Sequence, residues 1–226
     1  MLKSMIYNVF KPKNWTSFDV VAKMRGILHT RKIGHSGTLD PLAEGVLVVL
    51  TEKDTKKQNE FMALEKEYRA KVAFGVISPT YDLEGPLEFT GEVPGQREIE
   101  TKLLSFTGEI NQTVPPFSAV RVNGKRLYKE ARKGNINENE LPVKKVKIYG
   151  IQIESFGNET ININGELKSL SVVSFTVQCS SGTYIRSLAH DIGGVLVSLL
   201  RTRIGTYRIE DSKTLDALAQ PLPSQS

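Results

Sequence analysis

A glycine-rich loop that leads into a continuous apolar run is the feature that most restricts how this chain can fold. The run Val46-Leu47-Val48-Val49-Leu50 is short and does not alternate, so it predicts a strand buried on both faces. The loop before it begins at Gly34, and its glycines allow backbone conformations closed to other residues. Asp40 precedes Pro41, which disfavours a helical conformation for the aspartate. We therefore predict a shaped loop that carries Asp40 beside the core. A simple tight turn is the alternative.

The remaining patterns indicate strands interrupted by helices without strict alternation. Strands are predicted at 6–10, 46–51, 68–74, 118–122, 143–154, 160–163 and 170–179. Helices are predicted after a cap at Thr16 or Ser17, and at 55–64, 99–106, 127–132 and 183–196. Asn164-Gly165 predicts a hairpin turn. This succession predicts an α+β fold with a mixed or antiparallel central sheet flanked by helices and loops.

The chain shows no internal repeat and no low-complexity tract that would divide it. The stretch 78–95 is rich in proline, glycine and acidic residues and is interpreted as a loop or insertion rather than a linker. The prediction is one domain over 1–226.

Composition restricts the class of protein. The chain has 226 residues, a net charge of +5 and one cysteine, Cys179, so no intramolecular disulfide can form. No run approaches the roughly 18 apolar residues of a membrane span, and the first residues lack the apolar core of a signal peptide. We expect a soluble cytoplasmic protein that does not interact with a membrane.

The charge is unevenly distributed along the chain. Residues 121–147 contain nine lysines or arginines against three glutamates, and residues 11–35 contain six against Asp19 alone. Residues 82–109 contain seven acids against Arg97 and Lys102. Two basic segments on either side of a candidate site favour a groove for a phosphate backbone, although each could be an ordinary solvated face. The acidic segment is expected to face away from such a groove.

Other chemistries find little support in the sequence. Three histidines and one cysteine give no zinc-binding spacing, and no phosphate-binding glycine loop follows a strand. The prediction is that no metal and no cofactor is required. His35, Ser36 and Asp40 could be interpreted as a hydrolase triad, but residues this close in sequence rarely reach the geometry of a triad.

Several ordered motifs together resemble the TruB-type tRNA pseudouridine synthases. Residues 34–47 resemble the catalytic motif of that family almost letter for letter. The other matching motifs are Lys11-Pro12 with Thr16-Ser17, Glu67-Tyr68-Arg69-Ala70, Pro115-Pro116-Phe117-Ser118-Ala119 through Gly124-Lys125-Arg126-Leu127-Tyr128, Ser181-Gly182-Thr183-Tyr184-Ile185-Arg186-Ser187-Leu188-Ala189 and Leu199-Leu200-Arg201-Thr202-Arg203-Ile204-Gly205. These matches extend over roughly residues 6–209.

The resemblance implies a pseudouridine synthase catalytic fold. This sequence departs from the family pattern at two points. Many relatives carry a C-terminal RNA-binding domain of the PUA type, and we expect that domain to be absent here. Asn14 stands where the family usually has glycine.

The resemblance assigns the catalytic carboxylate to Asp40. Beside a ribose, a carboxylate can stabilise positive character at C1′, abstract a sugar proton or attack as a nucleophile, and the sequence does not distinguish these routes. Arg186 is expected to be the counter-charge that keeps Asp40 ionised and oriented. An arginine on the exposed face of a helix is the alternative for Arg186.

Four further residues are expected to line the substrate pocket. By resemblance, Tyr68 packs against the target base, Tyr184 shapes the pocket, and His35 fills the space that a flipped nucleotide vacates. Leu200 resembles the pocket leucine of the family, although an ordinary core leucine is nearly as good an interpretation.

The resemblance predicts an isomerase that converts uridine 55 in the T-loop of tRNA to pseudouridine. Its partner would be the T-arm stem-loop of tRNA, and a monomer is expected. One alternative is an RNA-binding protein that has lost the chemistry. The other is a synthase directed to different RNA, by another loop or by a guide-RNA complex.

Overall fold

Strands and helices succeed one another along the chain without strict alternation. The computed structural model describes residues 4–220. Its strands are β1 (Ile6–Lys11), β2 (Ile33–His35), β3 (Glu44–Thr51), β4 (Lys66–Ala73), β5 (Val76–Ile77), β6 (Glu88–Phe89), β7 (Gly108–Thr113), β8 (Arg121–Val122), β9 (Lys125–Arg126), β10 (Val143–Ile163), β11 (Glu166–Cys179), β12 (Val195–Ile204) and β13 (Tyr207–Arg208). Its α-helices are α1 (Ser17–Leu28), α2 (Gln58–Ala63), α3 (Gln96–Ser105), α4 (Leu127–Ala131), α5 (Ile185–Asp191) and α6 (Leu215–Ala219).

The chain divides into two units. Unit 1 comprises the chain up to Tyr68 and from Leu199 onward, and unit 2 comprises Arg69–Ser198. The chain passes from one unit to the other within β4 and within β12. The single domain expected from the sequence stays a prediction. Among residues 4–220, no helix is long and apolar enough to cross a bilayer.

Unit 1 is built on a mixed sheet in the order β1-β3-β12-β4. Strand β3 pairs antiparallel with β1 and parallel with β12. One face of β3 packs Leu47 and Val49 against Val20 and Met24 of α1, and the other packs Val46 and Val48 with Ile204. The predicted strand with two buried faces is therefore confirmed.

Unit 2 is built on antiparallel strands in the order β4-β11-β10-β7. Strands β10 and β11 form a hairpin in which Ile163 pairs with Glu166. Asn164 and Gly165 make the turn with φ of 53° and 93°, as a two-residue hairpin loop of this handedness requires. This confirms the predicted hairpin, and mixed and antiparallel strands with flanking helices confirm the α+β class.

Several elements differ from the sequence prediction, and the strands predicted at 143–154 and 160–163 form the single strand β10. The helix predicted at 183–196 ends at Asp191, and Val195 opens β12 instead. Gly193 has a φ of 85°, and a Cβ on Gly194 would lie 2.4 Å from Cγ1 of Val72. The chain therefore leaves the helix at two glycines, the second of which packs against β4.

The strand predicted at 118–122 is reduced to the two residues of β8. The carbonyls of Ser118 and Val120 accept hydrogen bonds from the first amides of α4, those of Tyr128 and Leu127. Because these two carbonyls are bonded to the start of a helix, residues 118–120 do not pair with a neighbouring strand. The predicted helix at 55–64 begins as a 3-10 helix at Glu52–Lys57 and continues as α2.

Candidate active site

The main chain on both sides of Asp40 is held by the start of α1 and the residues before it. The Ser17 hydroxyl accepts a hydrogen bond from the Leu39 amide at 2.8 Å and donates one to the Leu39 carbonyl at 3.2 Å. The Asn14 amide donates to the Pro41 carbonyl at 2.8 Å. Ser17 is 1% exposed, so water does not compete for its bonds. Asp40 is half-buried on a loop whose position is determined by these contacts.

The start of α1 is itself fixed by a capping box. The Thr16 hydroxyl accepts from the Asp19 amide at 3.0 Å, and the Asp19 carboxylate accepts from the Thr16 amide at 2.8 Å. The hydrogen bond from the Thr16 side chain is the main reason that the pKa of Asp19 lies below its ordinary value. Because this cap determines where α1 begins, it also determines where Ser17 meets the loop.

His35 ends the short strand β2 and pairs with Val49 of β3. Burial lowers the pKa of His35, and the nearby charge of Arg201 lowers it further, while a main-chain hydrogen bond with Gly37 acts in the opposite direction. The imidazole is therefore held neutral at physiological pH.

Strand β12 lies between the strand that follows the Asp40 loop and the strand that carries Tyr68. Leu200 pairs with Glu44 at the start of β3, and the Thr202 hydroxyl donates to the Glu67 carboxylate at 2.7 Å. Tyr68 is 8% exposed and Leu200 is half-buried. The structure thus places Asp40, His35, Tyr68 and Leu200 in unit 1, on neighbouring strands and the loop between them.

Arg201 was not selected by the sequence reasoning, although it lies in the motif 199–205. It is 1% exposed. Its Nε donates to the Val46 carbonyl at 2.8 Å and its Nη2 to the Gly37 carbonyl at 3.3 Å. The sequence did offer one signal for Arg201, namely a charged residue within a largely apolar stretch. A charged side chain is rarely buried unless specific hydrogen bonds compensate for its lost hydration.

Tyr184 lies in unit 2, directly before α5, and a buried amide fixes its main chain. The Gln112 side chain accepts from the Tyr184 amide at 2.7 Å and donates to the Tyr184 carbonyl at 2.9 Å. The Lys144 ammonium lies 5.6 Å from the centre of the tyrosine ring, a cation–π distance. Gln112 is 1% exposed and no sequence pattern pointed to it.

Arg186, also in unit 2, lies in the first turn of α5 and is 6% exposed. Its guanidinium donates to the carbonyls of Thr80 at 3.0 Å and Phe117 at 3.1 Å, and it pairs with the Asp82 carboxylate at 3.6 Å. The alternative of an exposed helix arginine is therefore wrong. Asp82, which the charge count placed in the outward-facing acidic segment, is 1% exposed, so it departs from that expectation. The predicted pairing of Arg186 with Asp40 stays a prediction.

Unit 2 also contains a cavity of about 1000 Å³, lined in part by Tyr81, Pro86, Glu92 and His190. The rings of Tyr81 and His190 stack with centroids 3.8 Å apart. None of the site residues predicted from the sequence lies among its lining residues in the described chain. We therefore place the candidate chemistry at the Asp40 loop rather than at this cavity.

Comparison with known sequences identifies similar proteins over most of the chain. Residues 25–185 match the family model described as TruB family pseudouridylate synthase (N terminal domain). A protein of Clostridium kluyveri named tRNA pseudouridine synthase B is 43% identical over 220 residues, which cover 94% of this chain and 71% of that protein. A protein of the same name from Streptomyces coelicolor is 40% identical and is covered to 72%.

Comparison with solved structures identifies chains with the same fold as this one. The chain superposes with a TM-score of 0.67 and 31% identity on a chain from a Cbf5-Nop10-Gar1 complex. It superposes with a TM-score of 0.64 and 29% identity on a chain from an H/ACA RNP bound to a substrate RNA containing 2′-deoxyuridine. In both cases 95% of this chain is covered, and the chain spans about half the length of the solved chains.

Proposed function

The chain belongs to the TruB family of pseudouridylate synthases, and from this premise we propose that it isomerises uridine 55 in the T-loop of tRNA to pseudouridine. The reaction breaks the N-glycosidic bond, turns the uracil and joins C5 of the base to C1′ of the ribose. The hydrogen at C5 is released as a proton, and N1, which has lost its bond to the ribose, takes up a proton, so that the product is an isomer of the substrate. The proposal includes a cytoplasmic location, where such a substrate would be found.

The observation that carries this proposal is the fixed position of Asp40. Leu39 and Pro41, its two neighbours, are hydrogen-bonded at their main chains to Ser17 and Asn14. A carboxylate held in this way needs little reorganisation when positive charge develops at the ribose, which is how preorganised groups accelerate reactions. In this proposal Asp40 is the catalytic residue. Charge stabilisation, proton abstraction and nucleophilic attack all remain compatible with it.

His35 and Tyr68 serve the flipped nucleotide in this proposal. A target uridine must leave its stack to reach a carboxylate, and this costs unstacking energy. The neutral, half-buried ring of His35 can replace part of that stacking. Tyr68 offers a ring that packs against the uracil, with a hydroxyl that can exchange a proton.

Leu200, Tyr184 and Arg186 are assigned to the same site by their motifs. Leu200 and Tyr184 would bound the pocket, and Arg186 would pair with Asp40 and keep it ionised. The support for the two residues of unit 2 is that both are held in place by buried groups, Gln112 and Asp82. No metal or cofactor has a role in this proposal.

The proposed partner is the T-arm of tRNA, bound by a monomer. The net charge of +5 and the two basic segments favour a polyanionic ligand. The region 121–133 carries exposed cations, among them Arg126, which donates to the Tyr128 hydroxyl at 3.3 Å. Such residues supply the affinity for phosphates that is independent of sequence.

A second candidate is a synthase directed to its target by a guide RNA. The likeness to a chain solved in an H/ACA RNP bound to a substrate RNA favours it. Relatives at 40% identity or more that are named for tRNA favour the first candidate. Conversion of free tRNA without any added RNA or protein would decide for the first.

The test is the release of tritium from a tRNA transcript that carries 5-tritiated uridine. We expect one release per tRNA with the wild type and none with Asp40→Asn, which should still bind tRNA. Asp211→Asn, an exposed carboxylate of the same unit, is the matched control and should release tritium at the normal rate. A transcript with cytidine at position 55 should give no release. Turnover by a clean Asp40→Asn preparation would refute the assignment of Asp40.

A further inference from the structure

Arg201 is the largest of the fully buried side chains in the described part of the chain. Transferring a guanidinium from water to a protein interior is costly unless hydrogen bonds compensate for the lost hydration. An apolar side chain of similar volume would avoid that cost. The specific contacts of the Arg201 guanidinium therefore indicate what its charge contributes.

Both acceptors of Arg201 belong to the segment that carries Asp40. Gly37 lies before the aspartate and Val46 lies after it, at the beginning of the buried part of β3. One rigid guanidinium thus joins the carbonyls of two residues that bracket Asp40, at 3.3 and 2.8 Å. Because the fork is planar, it fixes both the separation and the direction of these carbonyls.

The main chain of Arg201 is also in close register with the same segment. Arg201 pairs with Gly45 in the parallel ladder between β12 and β3. A Cβ on Gly45 would lie 2.3 Å from the Arg201 carbonyl oxygen, and Gly45 has a φ of 106°. The strand that provides the guanidinium is therefore held against the loop at a distance that only glycine permits.

The contacts of Arg201 complement those of Ser17 and Asn14. The latter hold the residues next to Asp40, whereas Arg201 holds the two ends of the segment. A loop fixed only at its centre could still rotate as a body about these contacts. A second attachment at the ends restricts that rotation, and a misplacement of about 1 Å can cost about 100-fold in rate.

We propose that Arg201 is a positioning residue, which sets the location of the Asp40 carboxylate by clamping Gly37 and Val46. The inference rests on the proposed role of Asp40 as the catalytic residue. Arg201 itself does not touch the substrate. Its removal should therefore slow the chemical step and leave the affinity for tRNA largely unchanged.

The test compares Arg201→Lys with Arg203→Lys. Lysine keeps the charge but cannot bridge two carbonyls in a fixed plane. Arg203 lies on the same strand, pairs with Glu65 at 2.6 Å and donates to the Gly205 carbonyl at 3.1 Å, so it is a matched arginine outside the clamp. The readouts are the single-turnover rate with 5-tritiated tRNA, the Kd for tRNA and hydrogen–deuterium exchange of residues 37–46.

For Arg201→Lys we expect a single-turnover rate lower by about 100-fold, a Kd within about threefold of the wild type and faster exchange confined to residues 37–46. Arg203→Lys should keep a rate within about twofold. A normal rate for Arg201→Lys, or a loss shared equally by the two variants, would overturn the inference. So would failure of Arg201→Lys and Arg201→Gln to fold while Arg203→Lys folds, because Arg201 would then act in stability alone. If Asp40→Asn turns over, the assignment of Asp40 on which this inference rests fails instead, and if the wild type releases no tritium, the proposed function fails, whatever Arg201 does.

Discussion

The Arg186 guanidinium lies 3.6 Å from the Asp82 carboxylate, with 7% of the arginine side chain and 2% of the aspartate side chain exposed. The Asp82 carboxylate is also held from its own loop. One of its oxygens accepts from the Thr80 hydroxyl at 2.6 Å and from the Glu84 amide at 3.0 Å. Hydrogen bonds of this kind are what make a buried ion pair tolerable.

Replacement of Asp82 by asparagine should destabilise the protein by about 3 kcal/mol, because a buried guanidinium loses this counter-charge. Urea denaturation of the wild type and Asp82→Asn would measure the free energy of unfolding. Glu98→Gln is the matched control, since its pair with Lys102 is exposed and should change stability by less than about 0.5 kcal/mol. Equal effects of the two substitutions would show that burial does not matter here.

Stability should depend on the protonation of His35. Its pKa in the folded state lies below the ordinary value of 6.5, so the unfolded chain binds the proton more readily. The contribution of the neutral ring is present above about pH 6.5 and is lost as the pH falls toward the lower, folded-state pKa. Thermal unfolding between about pH 7.5 and about pH 5 would measure it. His35→Gln should lose less stability on acidification, and an identical pH dependence in both proteins would contradict the prediction.

Two glycines should respond to alanine in opposite directions. Gly45→Ala places a Cβ 2.3 Å from the Arg201 carbonyl at a φ of 106°, and we expect a loss of about 3 kcal/mol or more. Gly26 lies inside α1, and a Cβ there meets nothing within 4 Å. Gly26→Ala should therefore stabilise the protein by about 0.5–1 kcal/mol. Denaturant midpoints of the two variants measure both effects, and a tolerated Gly45→Ala would mean that the loop and β12 are less closely packed.

Binding of tRNA should weaken steeply with salt, and the exposed cations of β9 should contribute to this dependence. Lys125→Ala with Arg126→Ala should raise the Kd and reduce the slope of log Kd against log salt by about 1 for each phosphate that is no longer neutralised. The single-turnover rate at saturating enzyme should not change. Lys102→Ala, which removes a cation from the acidic segment, should leave the slope unaltered. If the double variant Lys125→Ala with Arg126→Ala left the slope unchanged, the RNA would have to bind elsewhere.

Elements whose signals lie within a few residues were predicted well from the sequence. The cap at Thr16, the turn at Asn164-Gly165 and the strand that begins near Val46 follow from local hydrogen bonding, backbone preference and apolar run length. The predicted helix at 183–196 was wrong in its second half, because the chain turns at Gly193 and packs Gly194 against β4. A single sequence does not reveal that packing partner.

The candidate site likewise has residues that the sequence predicted and residues that it did not. The motif around Asp40 specified the residue, and family membership could be inferred before any coordinates. The groups that hold the site were not predicted, because Arg201 lies 155 positions from Val46, Gln112 lies 72 positions from Tyr184, and Asp82 is similarly distant along the chain from Arg186. A charged residue is also expected at the surface unless its partner is known.

The sequence by itself determined the family, the α+β class and the identity of the proposed catalytic carboxylate, since these depend on ordered motifs and local patterns. The tertiary structure decided which charges are buried and which carbonyls they hold. It decided, for instance, that Arg201 clamps Gly37 and Val46, and that Asp82 faces Arg186 rather than water. The physical reason is that burial and hydrogen bonding between distant residues arise only when the strands pair and the core closes around them.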